Sequence, residues 1–346
     1  MDKIVECVPN FSDGVNPEVH AAIGKAISSV KGVRLLDIDP DASYNRVVVT
    51  FVGEPQPCVE AALRATRVAV DMIDMRTQKG EHPRFGAIDV CPFVPVRGVT
   101  MADCVELSKQ YGKRASEDFG VPVFLYEQSA SRPDRKNLAT VRAGEYEGLE
   151  EKFKNPDWAP DFGPAKFVPH FGAVATGARF FLVAYNVNMG TSDVSITHDI
   201  ALTIRQMGKP RKKDGKFVLN AAGKKIFDPG KLRMVKAMGV PLENDPRTQI
   251  SMNLNNYLIT PPHVAFEEAR FEAEKRNIKV TGSEIVGLVP LAPVIMAAHY
   301  YLHTQGESGL KMTEEELVGV AHDYLGLSDY KKFESSKKII EMAVRS

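Results

Sequence analysis

The chain has 346 residues, with 44 basic and 44 acidic side chains that cancel and 44% apolar residues. This composition is typical of a globular protein with two domains or subdomains, and the balanced charge removes the general electrostatic argument for a nucleic-acid partner. The sequence has no apolar run of about 18 residues and no signal peptide, so we expect no membrane span. The four cysteines are widely spaced and form no Cys-x-x-Cys pair, which predicts a cytoplasmic protein without structural zinc.

Hydrophobic periodicity predicts the elements of the first half of the chain. The predicted strands are 4–8, 34–39, 45–53, 88–96 and 122–126, and the predicted helices are 16–30, about 59–73 and 100–115. Pro92 and Pro95 interrupt the strand at 88–96. Because proline cannot donate a hydrogen bond to a neighbouring strand, we expect this strand to be an edge strand or to contain a bulge.

The second half repeats the order strand, helix, two strands, helix, strand. The predicted strands are 179–186, 232–236, 249–254 and 284–288, and the predicted helices are 196–207 (which Gly208 ends), 260–276, 291–303, one that a capping box begins at Thr313, and a tail helix. This order predicts an α/β (α+β) fold of two ferredoxin-like subdomains, mainly antiparallel sheets with helices, and a ligand cleft between them. We place the subdomains at 1–177 and 178–328, followed by a tail over 329–346.

Residues 208–229 are rich in lysine and arginine and contain the dipeptide Asp214-Gly215. This dipeptide favours a tight hairpin turn. We expect a solvated hairpin rather than an element that binds an anion.

Residues 79–86 (KGEHPRFG) place an imidazole, a carboxylate and two cations close together. Pro83 biases His82 away from helical backbone, and Gly80 and Gly86 permit tight geometry at either end. An imidazole exchanges its proton near neutral pH, so His82 is a candidate general base and acid. An ordinary surface histidine is the alternative.

Further segments carry a dense pattern of uncommon dipeptides. They are 5–12 (VECVPNFS), 36–40 (LDIDP), 45–46 (NR), 50–53 (TFVG), 87–98 (AIDVCPFVPVRG), 142–147 (RAGEYE) and 158–164 (WAPDFGP). With residues 79–86, their order and spacing resemble the glutamate formiminotransferase family, up to about residue 208 and again from about 230 to 328. The resemblance implies a homodimeric, stand-alone transferase that lacks the cyclodeaminase domain of some members. Such an enzyme moves a formimino group from N-formiminoglutamate to N5 of tetrahydrofolate in histidine degradation.

The implied reaction requires N5 to attack an amidine carbon and lose a proton, and the departing glutamate nitrogen to gain one. One imidazole can carry out both transfers, so we assign them to His82 and expect no metal. Asp39, at the end of a predicted strand, is our candidate to orient the imidazole, with Asp37, Asp89 and Glu81 as rivals.

Both substrates carry carboxylates, which arginine binds through two parallel hydrogen bonds. The candidates for polar substrate contacts are Arg84, Arg46, Arg97, Arg142 and Asn10, with Asn186 and Asn188 as further amides. The resemblance also implies folate contacts in the loop Gly163, Pro164, Ala165, Lys166, Phe167, Val168, Pro169, His170, Phe171 and Gly172. The Phe167 ring suits a pterin and Lys166 suits the folate tail, whereas a linker that packs its own aromatic rings is the alternative.

Three other functions remain open. The same fold could transfer a formyl group between 5-formyltetrahydrofolate and glutamate. A metal-dependent formiminoglutamate hydrolase would need clusters of His and Asp ligands that we do not find in the sequence. A non-catalytic folate-binding protein would have no need of His82, Arg84 and Asp39.

Overall fold

The computed structural model describes residues 2–80 and 83–345. They form two compact units, divided between Phe180 and Phe181. Glu81 and the candidate base His82 lie outside the described residues. No helix in the described part of the chain is both long enough and apolar enough to cross a bilayer.

The N-terminal unit contains one large sheet and the helices that pack on it. Its strands are β1 (Ile4–Cys7), β2 (Asn10–Phe11), β3 (Val33–Asp41), β4 (Arg46–Gly53), β5 (Ile88–Arg97), β6 (Val123–Glu127) and β7 (Val174–Ala178). Its helices are α1 (Pro17–Ser28), α2 (Pro55–Met72), α3 (Met101–Phe119), α4 (Leu138–Val141) and α5 (Leu149–Lys152), with 3₁₀ turns at Pro133–Arg135 and Pro156–Trp158. The boundary expected after residue 177 falls inside β7, whereas the division between the units comes after that strand.

The sheet of the N-terminal unit has a ferredoxin-like core. Strands β3, β4, β1 and β5 pair in that order and are antiparallel, with α1 and α2 in the two connections that the ferredoxin-like order requires. Strand β2 lies beyond β1 along the same path and pairs with β4 and β5. Strands β7 and β6 extend the sheet from β5 in parallel. The predicted ferredoxin-like arrangement is therefore confirmed, with two parallel strands added.

Strand β5 lies in the interior of the sheet and contains a bulge, so the expected bulge is confirmed and the alternative of an edge strand is wrong. Strands β1 and β2 flank it on one side and β7 on the other. The strand accommodates its prolines because its pairing is irregular. The register with β1 shifts between Ile4 and Val5, and Val5 pairs with Pro95 at this bulge. Pro92 still accepts a hydrogen bond from the Val8 N–H at 3.4 Å.

One face of this sheet packs against α1, α2 and α3. The fully buried side chains on that face of β1 and β4 are Val5, Cys7, Val47, Val49 and Phe51. Because side chains alternate along a strand, Glu6, Val48 and Thr50 point to the opposite face. All four cysteines are buried free thiols. The position of the helices thus decides which face of the sheet is left for polar residues.

The C-terminal unit repeats the ferredoxin-like order. Its strands are β8 (Val183–Met189), β9 (Lys209–Pro210), β10 (Lys212–Lys213), β11 (Lys216–Phe217), β12 (Phe227–Asp228), β13 (Val235–Pro241), β14 (Thr248–Leu254) and β15 (Val280–Val286). Its helices are α6 (Val194–Ile204), α7 (Pro262–Glu274), α8 (Leu291–Thr304), α9 (Glu314–Leu325), α10 (Ser335–Lys338) and α11 (Ile340–Arg345). Strands β13, β14, β8 and β15 pair in that order and are all antiparallel. The capping box at Thr313 is confirmed.

Residues 208–229 form a small separate element between α6 and β13. Strands β10 and β11 make the predicted hairpin, with left-handed backbone at Asp214 (φ 50°) and Gly215 (φ 77°). Gly208 does not end the preceding helix as expected, because α6 already ends at Ile204. Gly208 lies where the two ends of the element meet: a Cβ atom there would be 1.8 Å from the carbonyl oxygen of Asp228.

Candidate active site

The sheet face opposite α1–α3 carries a row of predicted site residues. The register pairs Asp39 with Val48, Val48 with Asn10, and Asn10 with Val90 across four adjacent strands. Neighbouring strands lie about 4.8 Å apart, so Asp39 and Asn10 are separated by roughly 10 Å. Asp39 is exposed and Asn10 is partly buried. Two of the sequence candidates are thus neighbours on one open face.

Asn10 and Arg46 form a hydrogen-bonded pair on this face. The Arg46 Nη1 donates to Asn10 Oδ1 at 3.2 Å, and Asn10 Nδ2 donates to the carbonyl oxygen of Val8 at 3.0 Å. The second bond fixes the orientation of the amide, so that its oxygen faces the guanidinium. The pair presents hydrogen-bond donors of the kind that bind a carboxylate.

Asp89 and Arg142 form a second, more deeply buried pair beside it. Asp89 is only 1% exposed, and the Arg142 Nη2 donates to its Oδ2. Burial raises the pKa of Asp89 from 3.8 to about 6, although the positive charges of Arg142 and Arg46 oppose this shift. Arg142 follows directly after α4, whose end therefore determines where this cation lies. The carboxyl group can change its protonation state close to neutral pH.

Arg84 joins three segments of the chain. Its guanidinium donates to the carboxylate of Glu147 and to the carbonyl oxygen of Gln78. The Tyr146 N–H donates to the Arg84 carbonyl oxygen at 2.7 Å, and the Tyr146 ring lies 5.9 Å from the guanidinium carbon. Arg84 is 8% exposed. These contacts fix the chain on the C-terminal side of the two undescribed positions.

The loop 163–172 packs on the same region of the N-terminal unit. The Phe167 and Tyr146 rings have centroids 5.3 Å apart, and the Tyr146 hydroxyl donates to the Pro169 carbonyl oxygen at 2.5 Å. Ala87 N–H donates to the Phe171 carbonyl oxygen at 2.7 Å. Lys166 is exposed. The loop is therefore anchored to the segment that follows the candidate base.

Gly172 forms the junction between this loop and the Arg84 segment. It forms an isolated bridge with Gly86 and has φ of 79°. A Cβ atom at Gly172 would lie 2.6 Å from the Phe85 carbonyl oxygen. Only glycine fits such a close approach with this backbone conformation.

The structure does not bring every candidate to this region. Arg97 is exposed at the other end of β5 from Asp89. In the C-terminal unit, Asn186 Nδ2 donates to Gln249 Oε1 at 2.9 Å, while Gln249 Nε2 donates to Asn188 Oδ1 at 2.7 Å and Asn188 Nδ2 to Asp329 at 2.8 Å. Both ends of the Asn188 amide are therefore engaged by protein groups.

Sequence reasoning did not single out Glu6, although it stands in the first family-like segment. It is 3% exposed, and burial raises its pKa from 4.5 to about 7 against the opposing charge of Arg179. The sequence feature that could have identified Glu6 is a carboxylate between two apolar residues, Val5 and Cys7, in a short predicted strand. Such a residue must point to the opposite face of the sheet.

Comparison with known proteins identifies the family. Residues 4–179 match the formiminotransferase domain, N-terminal subdomain, and residues 184–345 match the formiminotransferase domain. The glutamate formimidoyltransferase of Streptococcus pyogenes is 44% identical over 92% of this chain and 100% of its own length. The formimidoyltransferase-cyclodeaminases of Dictyostelium discoideum and Rattus norvegicus are 49% and 46% identical over 100% and 99% of this chain, which spans 61% and 60% of their lengths. The chain belongs to the formiminotransferase family.

Proposed function

We propose that this protein transfers the formimino group of N-formiminoglutamate to N5 of tetrahydrofolate, as a step in histidine degradation. The main support for this proposal is the 44% identity with the glutamate formimidoyltransferase of Streptococcus pyogenes over the whole length of that enzyme. The cluster of arginine, asparagine and aspartate side chains on the open face of the N-terminal sheet supports the same proposal, because both substrates are anionic. Tetrahydrofolate acts here as a second substrate.

Proton transfer is assigned to His82 on sequence grounds. The imidazole accepts the N5 proton as N5 bonds to the amidine carbon, and returns it to the glutamate nitrogen as the tetrahedral intermediate collapses. Asp39 orients the ring and stabilises its protonated form. Its exposed position on the polar face, two strands from Asn10, is compatible with this role.

The arginines divide into two groups in this proposal. Arg84 and Arg142 each pair with a carboxylate of the protein, Glu147 and Asp89 respectively, and so maintain the shape of the site. Arg46 is assigned to a carboxylate of the substrate because its guanidinium bonds Asn10, which lies on the same sheet face as Asp39. Arg97 is distant from this cluster along β5 and has no role in it.

The folate is assigned to the loop 163–172, with Phe167 against the pterin or benzoyl ring and Lys166 toward the glutamyl tail. The support is that the loop packs on Tyr146, which hydrogen-bonds the Arg84 backbone. Dimerisation and a cytoplasmic location remain predictions from the sequence.

The test is glutamate release from N-formiminoglutamate by the purified protein, measured by mass spectrometry with and without tetrahydrofolate. Release that requires tetrahydrofolate and yields a one-carbon-substituted folate supports the proposal. Release without folate indicates a hydrolase, and turnover of 5-formyltetrahydrofolate with glutamate in its place indicates formyl transfer. Folate binding without any turnover indicates a binding protein.

Matched histidine variants test the assignment of the base. His82→Gln should lose most of the turnover, because general acid–base catalysis contributes on the order of 10²–10⁴-fold. His299→Gln is the control, since this exposed side chain lies on α8 of the C-terminal unit. Equal activity of the two variants would remove His82 from the mechanism.

A further inference from the structure

Asn45 connects three parts of the N-terminal unit through its side chain. Its Oδ1 accepts a hydrogen bond from the Gly14 N–H at 2.8 Å. Its Nδ2 donates to Gln78 Oε1 at 2.7 Å and to the Lys79 carbonyl oxygen at 2.8 Å. The residue is 7% exposed and lies in the turn between β3 and β4. A buried amide with these three bonds holds its partners firmly.

The backbone at Asn45 adopts a conformation that few side chains tolerate. Its φ is 48°, in the left-handed region, where asparagine is one of the favoured residues apart from glycine. Asn45 therefore has two roles in the turn between β3 and β4. Its backbone adopts the left-handed conformation that the turn requires, and its side-chain amide forms the hydrogen bonds to the neighbouring segments.

The segment held by Asn45 leads directly to the candidate base. Gly80 lies against the same turn, since a Cβ atom on it would be 2.4 Å from the Tyr44 carbonyl oxygen. The carbonyl oxygen of Gln78 also accepts a hydrogen bond from the guanidinium of Arg84, on the far side of positions 81 and 82. Gln78 is thus bound from both directions, through its side chain by Asn45 and through its backbone by Arg84.

The C-terminal side of the segment is fixed independently. Ser12 is buried, and its Oγ donates to the Gly86 carbonyl oxygen at 2.8 Å. Ser12 and Gly14 both belong to the connection between β2 and α1. The same connection therefore anchors the segment at Gly86 and orients the Asn45 amide that anchors it at Lys79.

We propose that Asn45 is a positioning residue for proton transfer, because it holds residues 78–80, which lead directly to the candidate base. The inference rests on the proposed function for its catalytic consequence. The anchoring itself does not depend on which reaction the protein catalyses. Among the described residues, the Asn45 side chain bonds only Gly14, Gln78 and Lys79, so we expect its loss to change the rate of the chemical step more than substrate binding.

Asn45→Asp is the sharpest variant. The aspartate has the same shape and keeps an oxygen that accepts from the Gly14 N–H. Its second oxygen replaces the Nδ2 amide group and cannot donate to Gln78 Oε1 or to the Lys79 carbonyl oxygen. We expect trypsin to cleave the bond after the exposed Lys79 about tenfold faster, because the lost hydrogen bond to the Lys79 carbonyl oxygen favours local opening of the segment. We expect kcat to fall about 10- to 100-fold with KM within about twofold, because small misplacements of a catalytic group are costly.

Asn244→Asp is the matched control. Asn244 occupies the corresponding turn between β13 and β14, with φ of 57°, but its side chain is exposed. Asn45→Gly is the second variant, to be measured if Asn45→Asp does not fold. It tolerates the positive φ and removes the side-chain amide, and it should accelerate tryptic cleavage after Lys79 and lower kcat in the same way.

The outcomes separate this proposal from the proposed function. Faster tryptic cleavage after Lys79 and a lower kcat, neither of which occurs in Asn244→Asp, support it. Unchanged cleavage, or a loss of thermal stability with kcat and KM as in the wild type, overturns it. A wild-type protein without transfer activity would refute the proposed function, and the cleavage measurement would still decide whether Asn45 holds the segment.

Discussion

Replacing Asp89 by asparagine should change how the stability of the N-terminal unit depends on pH. Asp89 is 1% exposed on the interior strand β5, and the amide of Asn has nearly the same shape but cannot ionise. Burial raises the pKa of the folded carboxyl group to about 6. The folded state therefore holds the proton more tightly than the unfolded state, and the stabilising contribution of the protonated form is lost as the pH rises.

The size of the change in the free energy of unfolding follows from the difference between the pKa of Asp89 in the folded and in the unfolded protein. The contribution is present below the ordinary pKa of 3.8 and is lost progressively as the pH rises through the folded value of about 6. At about 1.4 kcal/mol for each tenfold difference in proton affinity, the total is about 3 kcal/mol. About 2 kcal/mol of it should be lost between roughly pH 4.5 and pH 7.5.

Urea unfolding followed by tryptophan fluorescence measures this effect. The chain has a single tryptophan, Trp158, and it lies in the N-terminal unit with Asp89. The free energy of unfolding of Asp89→Asn, relative to the wild type, should rise by about 2 kcal/mol over the same interval of pH, because the variant has no buried carboxylate to ionise. Parallel curves for the two proteins would refute the reasoning.

Three further predictions concern individual side chains of the two units. Asp39→Asn should keep the fold and substrate binding but lower kcat; if it is silent and Glu81→Gln is not, Asp39 is the wrong partner for the base. Phe167→Ala should weaken folate binding by about 1 kcal/mol. Lys166→Ala should weaken folate binding more at low salt than at high salt, because salt screens an exposed charge, and titrations at two ionic strengths measure both effects. His263, in the first turn of α7, is 7% exposed and its ring stacks on that of Tyr300. Burial lowers the pKa of His263 from 6.5 to about 4, so the free energy of unfolding should fall as the pH drops below about 6.5, and His263→Gln should reduce this loss in urea unfolding at acid pH.

The fold was predictable where local patterns are strong. The order of strands and helices in each half was sufficient to predict the ferredoxin-like arrangement, and the turn at Asp214-Gly215 and the cap at Thr313 followed from their own residues. Strand β5 was predictable only in part. Pro92 and Pro95 carry a local signal for an edge or a bulge, and the structure has the bulge, whereas the interior position depends on strands that come from distant parts of the chain.

The prediction that Gly208 ends helix α6 was wrong for a related reason. A glycine after a run of apolar residues at helical spacing usually ends the helix, and Gly208 was interpreted in this way. In the structure its positive φ serves a close approach to Asp228, at the other end of an insertion. The identity of the residue was informative, but the contact that requires it joins positions that are adjacent only after folding.

The arginines show how far residue type alone identifies a site. Arg84 and Arg142 were selected because arginine binds carboxylates, and both do bind carboxylates, but these belong to Glu147 and Asp89, which are 63 and 53 residues away in the sequence. All four residues lie in segments that resemble the family. A dense motif therefore marks a site in which some charged residues bind one another rather than the ligand. Sequence shows that the charges belong together, and only the folded structure shows that the carboxylates bound by Arg84 and Arg142 are those of the protein itself.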